Sequence, residues 1–132
     1  MHLEEKKGLS MARSSRAKEC LESAKVLLEA GDYKGAANRS YYAIFHAMRS
    51  VLAFDEIDMK HHSGIISEFR RLYIKTGVLD KSLSPIITML FDIRQESDYD
   101  DFFIISKAEV VEQIANADVF LTAIRQYLDA KY

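Results

Sequence analysis

Two polar clusters interrupt helical patterns that are otherwise apolar. The first is the segment 38–52, NRSYYAIFHAMRSVL, and the second is the segment 93–102, IRQESDYDDF. Each cluster places an arginine where helical periodicity would place a leucine, and a charge at such a position is costly unless it is paired or used. An arginine guanidinium is planar and can bind two oxygens of one phosphate at once. These clusters are therefore where we look for a site that binds a phosphate.

The second cluster pairs an arginine with a carboxylate. Arg94 shares a helix face with Ile87 and Leu90, and Asp98 follows four residues later, where an ion pair can form. Two interpretations stay open. In the structural one, a buried Arg94–Asp98 pair seals the end of a helical bundle. In the functional one, Asp98 holds Arg94 for phosphate recognition, and Tyr99 lines the same site.

The first cluster contains a polar stripe. Arg39, Tyr42, His46 and Arg49 follow each other at steps of three, four and three residues, so they span roughly 80° of a helix. The stripe borders the apolar positions, and it is not rich in Lys and Glu as a solvated face would be. In a purely structural interpretation Tyr42 packs, His46 makes one hydrogen bond, and the arginine stems cover apolar surface. In the functional one, Arg39, Tyr42 and His46 are a second candidate set of site residues.

The composition indicates one small domain. The chain has 132 residues, of which 48% are hydrophobic, enough for one core over residues 1–132, with 1–9 as a loosely ordered extension. The net charge of −2 gives no global attraction for nucleic acid, so a phosphate must be bound locally. No run reaches the roughly 18 apolar residues of a membrane span, and the first ten residues lack a signal peptide's apolar core. We expect a cytoplasmic protein.

The apolar spacing predicts five amphipathic helices. They cover about 10–30, 32–54, 65–77, 85–98 and 106–128. Asp32 and the pair Ser106 and Glu109 are typical N-terminal caps, and Gly31 and Gly77 are typical stops. Nothing alternates with period two for long. The sequence therefore predicts an all-α fold, an up-and-down four-helix bundle with an additional short helix packed across one end.

The sequence contains no motif typical of other catalytic or metal-binding sites. The sequence has no glycine-rich phosphate loop, no cysteines at metal-binding spacing and no nucleophile elbow. His61 and His62 are adjacent and would point about 100° apart on a helix, which makes a poor chelating pair. We predict no metal and no cofactor.

Aromatic residues predict association with another chain. Tyr73, Phe102 and Phe103 exceed what the core of a small monomer can readily cover, and exposed apolar patches usually mark interfaces. We expect a homodimer or a complex with a different protein.

Three motifs resemble the HEPN domain (higher eukaryotes and prokaryotes nucleotide-binding), in its small single-domain archaeal and bacterial branch. They are Asn38-Arg39-Ser40-Tyr41-Tyr42-Ala43 with Phe45-His46-Ala47, Lys60-His61-His62-Ser63-Gly64, and Arg94-Gln95-Glu96-Ser97-Asp98-Tyr99. The resemblance covers the chain from about Ser10 onward. It implies a helical bundle that is often dimeric and is commonly encoded beside a minimal nucleotidyltransferase. In such pairs many members act as toxins, with the nucleotidyltransferase as antitoxin.

The resemblance also implies a reaction. Active members are metal-independent ribonucleases that use an arginine and a histidine with four to six residues between them. Arg39 and His46 have such a spacing, whereas the segment in the family's position, Arg94 to Tyr99, offers Asp98 and no histidine. The leading hypothesis is a toxin–antitoxin or nucleotide/RNA-binding component that acts with a nucleotidyltransferase. Binding without cleavage, and a non-catalytic helical module that only dimerises or scaffolds, stay open beside it.

Overall fold

The computed structural model describes residues 2–59 and 61–132, and these residues form helices and no strand. The helices are α1 (Leu3–Glu29), α2 (Tyr33–Phe54), α3 (His62–Phe69), α4 (Leu83–Tyr99) and α5 (Lys107–Asp129). A π-helical stretch, Arg70–Ile74, continues α3. The predicted all-α fold is confirmed. Within the described ranges, no helix combines the length and the apolarity that crossing a membrane requires.

Helix α2 is the centre of the bundle and contacts each of the other four helices. Most of its residues are buried, and its closest neighbour is α1, to which three residues connect it. So short a connection requires two antiparallel helices. The largest fully buried side chains are Tyr41, Phe69, Phe120, Ile44, Met48, Leu52, Ile87 and Leu90. Since Tyr41 belongs to the first polar cluster, part of that cluster lies inside the core.

The predicted helix caps are confirmed. The Asp32 carboxylate accepts a hydrogen bond from the Gly35 N–H at 2.9 Å, which fixes the start of α2. Ser106 Oγ accepts from the Glu109 N–H at 3.1 Å, and the Glu109 carboxylate accepts from the Ser106 N–H at 3.3 Å. This reciprocal capping box satisfies backbone donors that α5 itself leaves free.

Helix α1 begins earlier than the sequence pattern predicts. It starts at Leu3, so residues 3–9, which we expected as a loosely ordered extension, are helical. The Lys6 and Lys7 ammonium groups lie 5.0 and 5.6 Å from the ring centroids of Phe54 and Tyr132. These contacts with the end of α2 and with the C-terminus stabilise turns that carry no apolar stripe of their own.

The prediction that Tyr73 is exposed was wrong. Its side chain is buried, and its hydroxyl donates a hydrogen bond to the Asp55 carboxylate just after α2. A tyrosine can be buried when its hydroxyl has a partner, and no periodicity could reveal that partner. Phe103 is half-buried, while Phe102 is exposed as predicted.

Candidate functional site

Arg94 joins the two polar clusters in space. Its Nη2 donates a hydrogen bond to Tyr42 Oη at 3.3 Å. Its guanidinium carbon lies 5.4 Å from the ring centroid of Tyr41 and 5.7 Å from that of Tyr42, within the range of a cation–π contact. The clusters, 52 residues apart in sequence at this contact, therefore form one site where α4 packs on α2.

The predicted ion pair between Arg94 and Asp98 is present. Arg94 Nε lies 3.1 Å from Asp98 Oδ2, but its N–H does not point at that oxygen, so Nε lacks a hydrogen-bond partner among the described residues. The structural interpretation required a buried Asp98, yet its side chain is 40% exposed. An exposed pair of this kind stabilises a fold by about 1 kcal/mol at most. The pair therefore orients Arg94 more than it seals the bundle.

His62, at the start of α3, is a site residue that our sequence reasoning missed. Its Nδ1 lies 3.0 Å from Tyr41 Oη, and its ring stacks on Phe45 with centroids 4.0 Å apart. We considered His61 and His62 only as metal ligands. The signal that could have found His62 was the second motif of the resemblance, 60–64, of which Lys60 lies outside the described residues.

His62 is neutral at neutral pH. Burial lowers the pKa of its imidazole, and the positive charges of Arg94 and Arg49 lower it further. Its partner Tyr41 stays protonated, since burial raises the pKa of the phenol. Hydrogen bonding to Tyr41 occupies Nδ1 and leaves Nε2 for a ligand, as a donor or an acceptor according to the tautomer.

His46 is a second neutral histidine in this region. It is 7% exposed, and burial lowers its pKa to about 4, helped by the charges of Arg16, Arg49 and Arg13. Its ring centroid lies 6.2 Å from that of Tyr42, and its Nδ1 has no hydrogen-bond partner among the described residues. His46 is thus an uncharged imidazole set beside Tyr42 and surrounded by arginines.

Two of the predicted site residues lie apart from Arg94. Arg39 is exposed and lines a separate groove of about 280 Å³ with Arg16 and Glu19. Tyr99 is 85% exposed at the last turn of α4. The structure therefore brings Arg94, Asp98 and Tyr42 together, with His46 beside Tyr42, and leaves Arg39 and Tyr99 outside this group.

The arrangement suits an anion more than a metal ion. No group of three His, Cys, Asp or Glu side chains in residues 2–59 and 61–132 could hold a metal. Arg94 offers N–H groups in a planar fork, which matches phosphate oxygens. A neutral histidine next to such a cation can accept a proton from a bound hydroxyl near neutral pH.

Comparisons with known proteins show which family and which proteins this chain resembles. The model of the HEPN domain family matches residues 11–127. A UPF0332 protein of Thermotoga maritima is 33% identical over 114 residues, which are 86% of this chain and 86% of that protein. A protein of Methanocaldococcus jannaschii named "Putative toxin" is 33% identical over 88% of this chain and 79% of its own length. A UPF0332 protein of Archaeoglobus fulgidus is 30% identical over 83% of this chain and 86% of that protein.

Proposed function

This chain belongs to the HEPN domain family, and from that premise we propose that it is a toxin that binds RNA through a phosphate at Arg94 and cleaves it without a metal ion. The observation that carries the proposal is the setting of Arg94, which is positioned by two tyrosine rings and Asp98 and lies close to a neutral histidine. The "Putative toxin" relative supports the toxin assignment.

In this proposal, phosphate binding depends on the Arg94 guanidinium, which is held in position before the ligand binds. The ring contacts with Tyr41 and Tyr42 and the ion pair with Asp98 restrict the rotamers of Arg94 before any ligand arrives. Less side-chain entropy is then lost on binding. Because Nε is buried beside Asp98, a phosphate would be bound through the Nη groups of Arg94.

Cleavage would proceed by attack of the ribose 2′-hydroxyl on the adjacent phosphorus. His62 accepts the proton of that hydroxyl, and Arg94 stabilises the negative charge that develops on the phosphorane. The bond from phosphorus to the 5′ oxygen breaks, and water protonates the departing oxygen. The products are a 2′,3′-cyclic phosphate and a free 5′-hydroxyl.

The proposal also includes association with other protein chains. We expect a homodimer that a minimal nucleotidyltransferase holds inactive in the cytoplasm, as the family resemblance implies. The exposed apolar side chains Tyr99, Phe102 and Ile104, at and after the end of α4, support a contact surface for another chain. Co-purification with the product of the adjacent gene tests this part.

An RNA assay in the presence of EDTA tests the site. Arg94→Lys keeps the charge but loses the fork of donors, so binding and cleavage should both fall. His62→Asn keeps a polar group near Tyr41 but removes the proton acceptor, so cleavage should fall while binding persists. Arg71→Lys is the matched control, because Arg71 is an exposed arginine paired with Glu68 away from this site.

Three outcomes separate the interpretations. Loss of cleavage in Arg94→Lys and His62→Asn, but not in Arg71→Lys, supports a ribonuclease. Binding that depends on Arg94, without cleavage by any variant or by the wild type, would leave a nucleotide- or RNA-binding component. Wild-type protein that binds no RNA would favour the non-catalytic helical module.

A further inference from the structure

Two arginines from neighbouring helices converge on one loop carboxylate. Arg13 Nη2 on α1 lies 3.8 Å from Asp58 Oδ1, and Arg49 Nη2 on α2 lies 3.9 Å from the same oxygen. Arg13 Nη1 also donates a hydrogen bond to the Arg49 carbonyl oxygen at 3.4 Å, which holds the two residues together. Arg13 and Arg49 therefore form a small cationic cradle around the Asp58 carboxylate.

The Asp58 carboxylate fills this cradle poorly. Charge-assisted N–H to oxygen contacts are normally about 2.7–2.9 Å long, and both contacts here are about 1 Å longer. The Asp58 side chain is 78% exposed and sits on the connector between α2 and α3. A phosphate carries more charge and more oxygens, so it can satisfy both guanidinium groups where one carboxylate oxygen cannot.

The two cations also disfavour each other. Burial lowers the pKa of Arg13, and the positive charge of Arg49 lowers it further, while Asp58 opposes both effects only in part. A bound anion would relieve this repulsion.

Aromatic rings connect this cradle to Arg94. The Arg49 guanidinium lies 5.9 Å from the Phe45 ring centroid, and Phe45 stacks on His62. His62 contacts the Tyr41 hydroxyl, and the Arg94 guanidinium lies over the Tyr41 ring. The charges of Arg94 and Arg49 both lower the pKa of His62, so the histidine is near both cations.

We propose that Arg13 and Arg49 form a second phosphate subsite, which holds another phosphate of the same strand while Arg94 holds the first. The ligand is then a single-stranded RNA that spans His62, and not a mononucleotide. This inference rests on the proposed function, because it takes Arg94 as the first subsite. Local cradles of this kind suit a protein whose net charge of −2 provides no general attraction for RNA.

The first test removes the competing carboxylate. Asp58→Asn should raise the affinity of the full chain for a fluorescent single-stranded RNA of about ten nucleotides several-fold, measured by anisotropy. Its affinity for AMP, which has one phosphate, should not change. Glu68→Gln is the matched control, because Glu68 is the carboxylate of an arginine pair elsewhere on the surface, and it should change neither affinity.

The second test removes the cations. Arg13→Gln and Arg49→Gln should each weaken RNA binding and lower the slope of log affinity against log salt concentration by about 0.7 for each phosphate that the protein no longer neutralises. AMP binding should persist in both variants. Arg13→Lys, which keeps the charge, covers the case in which a glutamine variant melts early, and it should retain most of the slope.

The outcomes distinguish the two proposals. If wild-type protein binds RNA and Arg94→Lys does not, but Asp58→Asn and both glutamine variants leave affinity and salt slope unchanged, the second subsite is wrong and the proposed function stands. Equal gains for RNA and AMP in Asp58→Asn would also overturn it, because the cradle would then bind a single phosphate on its own. If wild-type protein binds no RNA, the proposed function itself fails.

Discussion

We propose that Arg94 acts through the planar shape of its guanidinium, and one substitution separates the effect of shape from the effect of charge. Arg94→Lys should change the free energy of unfolding by less than about 1 kcal/mol, because the ion pair with Asp98 is partly exposed. RNA binding should fall by about tenfold or more, since an ammonium cannot bind two oxygens in one plane. Titration and melting of the same sample measure both. Full activity in Arg94→Lys, with loss in Arg39→Ala and His46→Ala, would move the site to the first cluster.

His46 should make the stability of the fold depend on pH. Its pKa is about 4 in the folded chain and about 6.5 when unfolded, so between these values the unfolded state binds more protons. The free energy of unfolding should therefore fall as pH drops from about 6.5 to 4, by about 3 kcal/mol for this group. His46→Asn should remove this part of the slope in urea denaturation, whereas His61→Asn, at an exposed position, serves as the control. Identical slopes in all three proteins would contradict the prediction.

The sequence predicted some of the site residues and could not predict others. The Arg94–Asp98 pair lies within one helix, so its spacing of four residues is visible in the sequence. His62 reaches Tyr41 across 21 residues, and Arg13 reaches Arg49 across 36, through the packing of separate helices. Periodicity tells which face of a helix is apolar, but it does not tell which faces meet.

At the scale of elements, helix ends were easier to predict from local chemistry than from apolar patterns. The caps of α2 and α5 use side chains within three residues of the helix start, so the sequence shows them directly. The start of α1 depends instead on contacts with Phe54 and Tyr132, far along the chain. The π-helical stretch after α3 carries no signal in the apolar spacing, and it too was missed.

The capping box gives a prediction for α5. Ser106→Ala should lower the free energy of unfolding by about 1 kcal/mol, because the Glu109 N–H then loses its acceptor. Ser15→Ala, at an exposed position inside α1, should cost nothing or add slightly to stability, since alanine is the better helix former. Urea denaturation of both variants measures the difference, and RNA binding should be the same in each. An equal change in both would show that the cap contributes little.

At the scale of the whole molecule, the basic residues of the proposed site and the segment at the end of α4 expose different kinds of side chain. Arg13, Arg49 and Arg94, which we propose hold phosphates, lie half-buried on α1, α2 and α4. Beyond them, α4 ends in an acidic run, Asp98, Asp100 and Asp101, which is interleaved with exposed apolar side chains. The basic groups and the exposed apolar side chains therefore lie in different regions, as expected when one region binds a phosphate and the other binds a protein.

The apolar side chains after α4 lead to a prediction about association. Phe102 and Ile104 are 90% and 86% exposed, and burying them against a second chain would remove their apolar surface from water. We expect the wild type to sediment as a homodimer, or as a complex with its nucleotidyltransferase, at tens of micromolar. Phe102→Ser with Ile104→Ser should weaken that association, whereas Val119→Ser, which removes an exposed valine from α5, should leave it unchanged. A wild type that stays a 15.1 kDa monomer and binds no partner would show that these side chains contribute to no interface.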